Sequence, residues 1–256
     1  MSTKNIYFAS DTHFGFPNRK ESLVREKMFV KWLDEIKNHT KELYLLGDIF
    51  DFWFEYKKIV PRGFTRLLGK LAEFTDAGIP VHFFCGNHDL WIFDYLPKES
   101  GVILHREPLT ISLQGKKFYL AHGDGLGPFD KKFKILKKIF TNSLAQWFFA
   151  RLHPNTTIRI AERWSRSSRN SHGEITYEGP DKEWLIIYAR ELIKEQDIDF
   201  LVFGHRHFPN DLKLNEKSRF INLGDWITNF SYGVFDGNEF YLKSYTDPKK
   251  DFKRTL

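Results

Sequence analysis

Short apolar runs alternate with amphipathic segments along the first part of the chain. The run at 5–9 predicts a buried strand, and residues 21–37 place large apolar side chains at helical spacing. The same alternation continues with strands at 43–46 and 81–85 around a helix at 64–76, which ends before Gly78 and Pro80. Short strands then follow one another at 102–104, 109–113 and 118–121. This order predicts a mixed α/β layered fold rather than a barrel.

The pattern changes between residues 126 and 180, where no apolar run has the character of a strand. Residues 130–151 predict one strongly amphipathic helix, with large apolar side chains on one side and lysines on the other or at its borders. A second helix at 157–168 is rich in arginine. We predict that residues 126–180, the cap segment, form a helical insertion.

The α/β alternation returns after Gly179-Pro180, with a helix at 183–195 and a strand at 200–203. Several short strands then complete the chain. The predicted domain organisation is therefore a core made of residues 1–125 and 181–256, with the cap segment inserted between two of its strands.

Polar blocks follow five of the short apolar runs, at the points where the predicted strands end. The blocks are Asp11-Thr12-His13, Gly47-Asp48-Ile49-Phe50-Asp51, Gly86-Asn87-His88-Asp89, His122-Gly123-Asp124 and Gly204-His205-Arg206-His207. Side chains at the carboxyl ends of neighbouring strands converge on one crevice. Carboxylate, amide and imidazole ligands without a thiolate favour a hydrolytic centre with two metal ions over a structural zinc site.

Two cations about 3.5–4 Å apart can supply both the nucleophile and the charge compensation that phosphate hydrolysis requires. Such a pair needs a bridging carboxylate, for which Asp48 is the natural candidate. The remaining candidate ligands are Asp11, His13, Asn87, His122, His205 and His207. Manganese suits mixed carboxylate, amide and imidazole ligands, with zinc or ferrous iron as alternatives. His88 and Asp51 stand beside these ligands, and we predict that they orient a ligand or contact phosphate.

The five blocks, in this order, resemble the calcineurin-like metallophosphoesterase superfamily, and the resemblance extends over nearly the whole chain outside the cap segment. It implies a layered sandwich of two mixed β-sheets flanked by helices. It also implies that the residue matching His88 assists phosphate binding or departure of the leaving group. The first ion is implied to bind at Asp11, His13, Asp48 and His207, and the second at Asp48, Asn87, His122 and His205.

Further features are similar to the UDP-2,3-diacylglucosamine hydrolase family. They are a length near that of this 256-residue chain, Gly-Asp-Ile-Phe-Asp-x-Trp after the second strand, the cap segment, Arg-Ile-Ala-x-Arg within it, and the run Leu223–Trp226. The similarity implies cleavage of the pyrophosphate of UDP-2,3-diacylglucosamine to lipid X (2,3-diacylglucosamine 1-phosphate) and UMP in lipid A biosynthesis. It implies that the cap clamps acyl chains and that basic residues meet the phosphates.

Two interpretations of the cap segment remain open. Its long amphipathic helix either only covers the core, or it forms an acyl groove or seats on an anionic membrane. Its arginines are either a solvated helix face or ligands of a diphosphate, whose oxygens match guanidinium forks. We predict that substrate binding involves Asn87, His88, Trp147, Phe148, Arg159, Arg163 and Arg166.

Composition narrows the classes of function. The hydrophobic fraction is 41% and the mean hydropathy −0.45, which is typical of a globular rather than a membrane-spanning chain. The net charge of +6 favours an anionic partner, and one cysteine excludes an internal disulfide. We see no signal peptide and predict a cytoplasmic protein, peripheral on the inner face of the inner membrane.

Two rival functions are a phosphodiesterase or phosphatase for a soluble nucleotide, and a non-catalytic binding scaffold of the same fold. Eroded ligands would indicate the scaffold, and all seven are present. Nucleic acid is not a predicted partner, because basic residues do not alternate with aromatic ones along an evident strand-binding groove. The sequence predicts no oligomeric state.

Overall fold

The computed structural model describes residues 4–128, 131–161, 163, 177 and 179–254. The strands are β1 (Asn5–Ala9), β2 (Thr40–Leu45), β3 (Val81–Phe84), β4 (Ile103–His105), β5 (Leu109–Leu113), β6 (Lys116–Ala121), β7 (Phe200–Phe203), β8 (Asn210–Lys213), β9 (Arg219–Asn222), β10 (Ser231–Phe235), β11 (Phe240–Ser244) and β12 (Lys253–Arg254). The helices are α1 (Arg19–Lys37), α2 (Thr65–Asp76), α3 (Tyr95–Ser100), α4 (Lys131–Thr141), α5 (Ser143–Phe149) and α6 (Trp184–Glu195). Residues 154–161 are helical as well.

The strands form two six-stranded mixed sheets, in the orders β11-β10-β1-β2-β3-β4 and β12-β8-β9-β7-β6-β5. In the first sheet β1 to β4 run parallel, and in the second β6, β7 and β9 do. Parallel neighbours end at the same edge of a sheet, so the polar blocks after β1, β2, β3, β6 and β7 gather there. The predicted layered sandwich of two mixed sheets is confirmed.

Three apolar layers hold these strand ends in place. Phe8 and Phe118 stack between the sheets with ring centroids 5.9 Å apart. Trp32 of α1 packs on the outer face of the first sheet, and Leu185 of α6 packs on the outer face of the second. Full burial of one such side chain stabilises the fold by roughly 1.5–3 kcal/mol. The strand ends therefore belong to rigid elements, which suits a site that needs fixed geometry.

Helix α1 begins earlier than the periodicity predicted because Asn18 caps it. The Asn18 Oδ1 accepts the backbone N–H of Glu21 at 3.1 Å, and its Nδ2 donates to the Glu21 carboxylate at 2.7 Å. Such a cap satisfies an N–H that has no partner within the helix. Apolar periodicity alone does not detect a polar cap.

The prediction of one continuous helix at 130–151 was wrong. Asn142 adopts an extended conformation between α4 and α5, and its side chain accepts the backbone N–H groups of Leu144 and Ala145. Asparagine favours such a cap over a helix interior because its side chain competes for backbone hydrogen bonds. The second helix, predicted at 157–168, begins at 154, and positions 162 and 164–168 lie outside the described residues.

Hydrogen bonds, an ion pair and ring contacts join the cap segment to the core among the described residues. The Trp91 Nε1 donates to the carbonyl of Phe140 at 2.7 Å, and the Lys137 Nζ pairs with the buried Asp124 carboxylate at 2.8 Å. The hydroxyl of Tyr56 contacts that of Thr157. These contacts hold α4 next to the strand ends that the polar blocks follow.

Candidate metal centre

Asp11 and Asp48 follow β1 and β2. In each residue one carboxylate oxygen accepts a backbone N–H, and the other points into the candidate site. Asp11 Oδ2 accepts the N–H of His205 at 2.9 Å, and Asp48 Oδ1 accepts the N–H of His88 at 2.8 Å. Within the described part of the chain, Asp11 Oδ1 is buried and accepts no hydrogen bond. A buried oxygen without a donor is costly unless a cation compensates it.

A first group of candidate ligands surrounds Nε2 of His13. This nitrogen lies 3.7 Å from Asp11 Oδ1, 3.5 Å from Asp48 Oδ2 and 3.1 Å from Nε2 of His207. The same His207 nitrogen lies 3.2 Å from Asp11 Oδ1. The four side chains implied for the first ion therefore point their donor atoms at one another.

A second group surrounds Nε2 of His122. This nitrogen lies 3.4 Å from Asp48 Oδ2 and 3.2 Å from Asn87 Oδ1, and His205 Nδ1 lies 2.9 Å from the same Asn87 oxygen. Asp48 Oδ2 thus belongs to both groups. Ligand atoms that share one ion at bonds of about 2.1 Å lie roughly 3.0–3.4 Å apart, so the spacing in both groups fits a metal ion.

Histidine orientation fits metal binding as well. His122 Nδ1 donates to the backbone carbonyl of Leu46 at 2.8 Å, which directs Nε2 at Asp48 and Asn87. A metal-binding histidine usually fixes its tautomer through a hydrogen bond of this kind.

The charges of the buried groups favour a bound cation. Burial opposes ionisation of Asp11 and Asp48, but the histidines outweigh it and hold the pKa of both carboxyls well below the ordinary value. Burial likewise opposes protonation of His122, yet Asp48 raises its pKa to about 10. The pKa of His205 is lowered to about 4 by burial and by the neighbouring His122. The two carboxylates therefore stay ionised, and a cation bound between them would replace the proton that His122 carries without a metal.

Backbone strain is concentrated at the same residues. Five of the seven candidate ligands have a positive φ of 42° to 67°, namely Asp11, His13, Asp48, His205 and His207. Such a conformation costs about 1–3 kcal/mol for a residue other than glycine, and it persists where surrounding contacts impose it for function.

Two glycines make the close approach between these loops possible. A Cβ on Gly47, whose φ is +85°, would lie 2.6 Å from Nδ1 of His122. A Cβ on Gly204 would lie 2.5 Å from Oδ2 of Asp11. Any larger residue would therefore displace a candidate ligand, which explains glycine in both blocks.

Asp89 is a structural partner of the site that sequence reasoning did not assign. Its buried carboxylate accepts the N–H groups of Gly86 at 2.7 Å and Ile49 at 2.9 Å, which ties the loop after β2 to the loop after β3. Burial and the nearby Asp48 raise its pKa to about 7. Its signal in the sequence is the last residue of the Gly-Asn-His-Asp block.

The two predicted catalytic residues lie against the first group. Asp51 Oδ1 is 3.4 Å from Nδ1 of His13, on the side of the ring opposite the candidate ion. His88 Nδ1 donates to the backbone carbonyl of Asp51 at 2.9 Å, and its ring meets that of His13 edge-on at 4.8 Å. Asp51 is therefore placed to orient His13, and His88 lies beside the same ring.

An apolar cavity of about 380 Å³ opens beside this centre. The core lines it with polar residues of the site and with large apolar residues. The cap segment supplies the other lining residues. The residues lining it, called here the apolar cavity, are Asp51, Phe52, Asn87, His88, Leu90, Trp91, Phe133, Leu136, Ile139, Phe140, Ala145, Gln146, Phe149, Ile160 and Ala161.

Four of the other five predicted substrate-binding residues, Trp147, Phe148, Arg159 and Arg163, do not line the cavity. Trp147 and Phe148 are 49% and 60% exposed, and Phe149 lines the cavity beside them. Arg159 and Arg163 are exposed, and the Arg159 Nε donates to the carbonyl of Asn155. Arg166 lies outside the described residues.

Two groups of nitrogen and oxygen donors, joined by one aspartate at the edge of a two-sheet sandwich, define a metal-dependent phosphoesterase. The family model described as calcineurin-like phosphoesterase matches residues 4–209. The chain belongs to that family and is a hydrolase.

Named relatives share most of the chain. A UDP-2,3-diacylglucosamine hydrolase from Porphyromonas gingivalis is 41% identical over 94% of this chain and 98% of its own length. One of the same name from Shewanella halifaxensis is 30% identical over 77% of this chain and 82% of its own length. Among solved structures, a phosphoesterase from E. coli has a TM-score of 0.46 at 16% identity, covering 96% of this chain and 95% of its own.

An ion pair between Arg206 and Glu183 supports the loop that carries His205 and His207. The Nε and Nη2 atoms of Arg206 donate to the two Glu183 oxygens at 2.9 and 3.0 Å, and Glu183 directly precedes α6. We expect Glu183→Gln to weaken metal affinity about tenfold, as loss of a group supporting metal ligands does. Saturating Mn²⁺ should restore kcat, and activity titrated with Mn²⁺ measures both quantities.

The matched control is Asp181→Asn, which removes an exposed ion pair with Arg190 on the same helix. Its metal titration should match the wild type, since exposed pairs contribute little. An unchanged metal titration for Glu183→Gln would contradict this supporting role, and so would a loss of kcat that Mn²⁺ does not restore.

Proposed function

We propose that this protein hydrolyses the pyrophosphate of UDP-2,3-diacylglucosamine to 2,3-diacylglucosamine 1-phosphate and UMP, a step of lipid A biosynthesis. The names of its relatives and their coverage of this chain support the proposal. The observation that carries it is the contact between the apolar cavity and the candidate metal centre. Asn87 and His88 line the cavity, and Asn87 also belongs to the second ligand group.

The chemistry of the cavity wall suits acyl chains. Phe133, Leu136 and Phe140 of α4 line it together with Leu90 and Trp91 of the core. Each methylene group that leaves water for such a wall contributes about 0.8 kcal/mol. A soluble nucleotide gains nothing from this wall, so the cavity supports an acylated substrate over the rival soluble one.

At the reacting end, the chain's own residues position the diphosphate. When bound, the metal pair held by the seven candidate ligands would supply the nucleophile and offset charge on the phosphoryl oxygens. The Nε2 atom of His88 faces away from the Asp51 carbonyl, so it can contact a phosphoryl oxygen or donate a proton to the departing one. Leu90 and Trp91 exclude water from the adjoining wall.

Manganese is the metal we propose. The donor atoms are carboxylate and amide oxygens with imidazole nitrogens, and the side-chain clusters that could hold an ion contain no thiolate among the described residues. Zinc or ferrous iron would occupy the same donors, and metal analysis of the protein purified without added metal distinguishes the three.

We also propose that the protein works in the cytoplasm, peripheral on the anionic inner face of the inner membrane. None of the helices in the described ranges has the length and apolar character that a bilayer crossing requires. The cap segment instead exposes apolar side chains to the surroundings: Ile135, Ile139, Leu144, Trp147, Phe148, Leu152 and Ile160. Exposed basic residues of the same segment, such as Lys138 and Arg151, suit an anionic lipid surface.

Vesicle sedimentation tests the membrane proposal. Trp147→Ser/Phe148→Ser should lower binding to vesicles rich in phosphatidylglycerol by about tenfold or more, because both side chains lose apolar burial. Ile103→Ser is the control, since Ile103 is 45% exposed on β4 outside the cap segment. Equal binding of the double variant and wild type would refute the proposed surface.

Turnover of paired substrates tests the reaction itself. We expect Mn²⁺-dependent release of UMP from UDP-2,3-diacylglucosamine, abolished by a chelator, and far slower release from a UDP-sugar without acyl chains. Equal rates on both substrates would favour a soluble nucleotide as the natural substrate.

A further inference from the structure

Helix α4 separates two cavities that both reach the candidate metal centre. The apolar cavity lies on the side of Phe133, Leu136 and Phe140. The second, of about 520 Å³, lies on the side of Lys134, Lys137, Lys138 and Thr141 and is called here the basic groove. Its remaining lining residues are Phe84, Cys85, Leu90, Arg106, Glu107, Pro108, Ala121, His122, Gly123, Asp124, Gly125 and Leu126.

Charge is divided between the two cavities. The basic groove is lined by four cations (Arg106, Lys134, Lys137 and Lys138) and two carboxylates (Glu107 and Asp124), whereas the titratable lining of the apolar cavity is Asp51 and His88. A wall with a surplus of cations suits a phosphate-bearing ligand, and a largely apolar wall does not.

Two lysines of the basic groove keep their charge available. Lys137 is paired with Asp124 at 2.8 Å. Lys134 donates only to the carbonyl of Gly127, and Lys138 is exposed; neither forms an ion pair with a carboxylate within the described ranges. Their ammonium groups can therefore meet an anion without first breaking an ion pair.

The two cavities share Leu90, and they also meet where two candidate ligands contact each other. Asn87 lines the apolar cavity and His122 lines the basic groove, and Asn87 Oδ1 lies 3.2 Å from Nε2 of His122. A molecule with one apolar and one anionic half, joined by a diphosphate, would place its linkage at this point.

We propose that the basic groove binds the phosphorylated nucleoside half of the substrate while the apolar cavity binds the acylated half. This rests on the proposed function. Hydrolysis adds one water across the P–O–P linkage: the attacked phosphorus gains the water oxygen, the bridging oxygen leaves with the other phosphate, and a proton is released. Each product then remains in its own cavity, and α4 lies between them.

Inhibition by each product tests whether the two halves of the substrate bind in different cavities. In the metal-loaded full chain, Lys134→Ala/Lys138→Ala should raise the inhibition constant of UMP about tenfold, because charge-assisted contacts are lost. Inhibition by 2,3-diacylglucosamine 1-phosphate should stay within about twofold of the wild type. The control Lys194→Ala/Lys213→Ala removes two exposed lysines from α6 and β8 and should change neither constant.

A second variant keeps the proposal testable if the first does not fold. Thr141→Glu adds a carboxylate to the groove lining and should also weaken UMP inhibition, and thermal unfolding checks both proteins. Unchanged UMP inhibition in a folded variant overturns the proposal, as does an equal rise for both products. If the wild type does not cleave UDP-2,3-diacylglucosamine, the proposed function fails. Calorimetric titration of the same variants with UMP then still tests whether the basic groove binds the nucleotide.

Discussion

Asp48→Ala is expected to lower turnover by more than about a thousandfold, because it removes the one carboxylate shared by both ligand groups. Asp48 Oδ2 lies 3.5 Å from Nε2 of His13 and 3.4 Å from Nε2 of His122. Metal analysis of the purified variant should find fewer than two ions per chain. Turnover of UDP-2,3-diacylglucosamine with excess Mn²⁺ measures the activity.

The control for this variant is Asp94→Ala, which removes an exposed carboxylate paired only with Lys98 among the described ion pairs. It should leave both metal content and turnover near the wild-type values. Near-normal activity of Asp48→Ala would contradict the dimetal assignment, whatever its metal content. Thermal unfolding separates loss of the site from loss of the fold.

Much of the candidate site was predictable because its residues follow strands. A buried parallel strand appears in the sequence as a short apolar run, and the polar residues after it must lie at the edge of the sheet. Asp48 after β2 and His122 after β6 therefore lie within 3.4 Å of each other although they are far apart in the chain. The left-handed conformations at Asp11 and His13 were not predictable, because they arise from contacts between loops.

Partners of the ligand loops were harder to predict. Arg206 stands between two candidate ligands, but its pairing with Glu183 depends on the position of α6, which only the packed fold defines. The carboxylate of Asp89 likewise binds backbone N–H groups of another loop, and no pattern of residue types reveals backbone partners.

The wall of the apolar cavity shows how one local break changes a prediction. A continuous helix through 130–151 would place Phe148 on the same face as Phe133 and Phe140. The Asn142 cap restarts the helix with a different phase, so Phe149 lines the cavity and Phe148 is 60% exposed. A single capping side chain thus decides which aromatic residue faces the substrate.

Leu136→Asp is expected to raise the KM for an acylated substrate by more than about tenfold, since it places a charge in the apolar cavity. Its neighbour Ile135 is 63% exposed and outside the cavity lining, so Ile135→Asp adds the same charge to the same helix as a matched control. Both variants should hydrolyse a small unacylated phosphodiester within about twofold of the wild-type rate. Short acyl chains in detergent keep membrane binding out of the comparison. Equal effects of the two substitutions on the acylated substrate would mean that the cavity does not hold the acyl chains, and the substrate would then have to be recognised elsewhere on the chain.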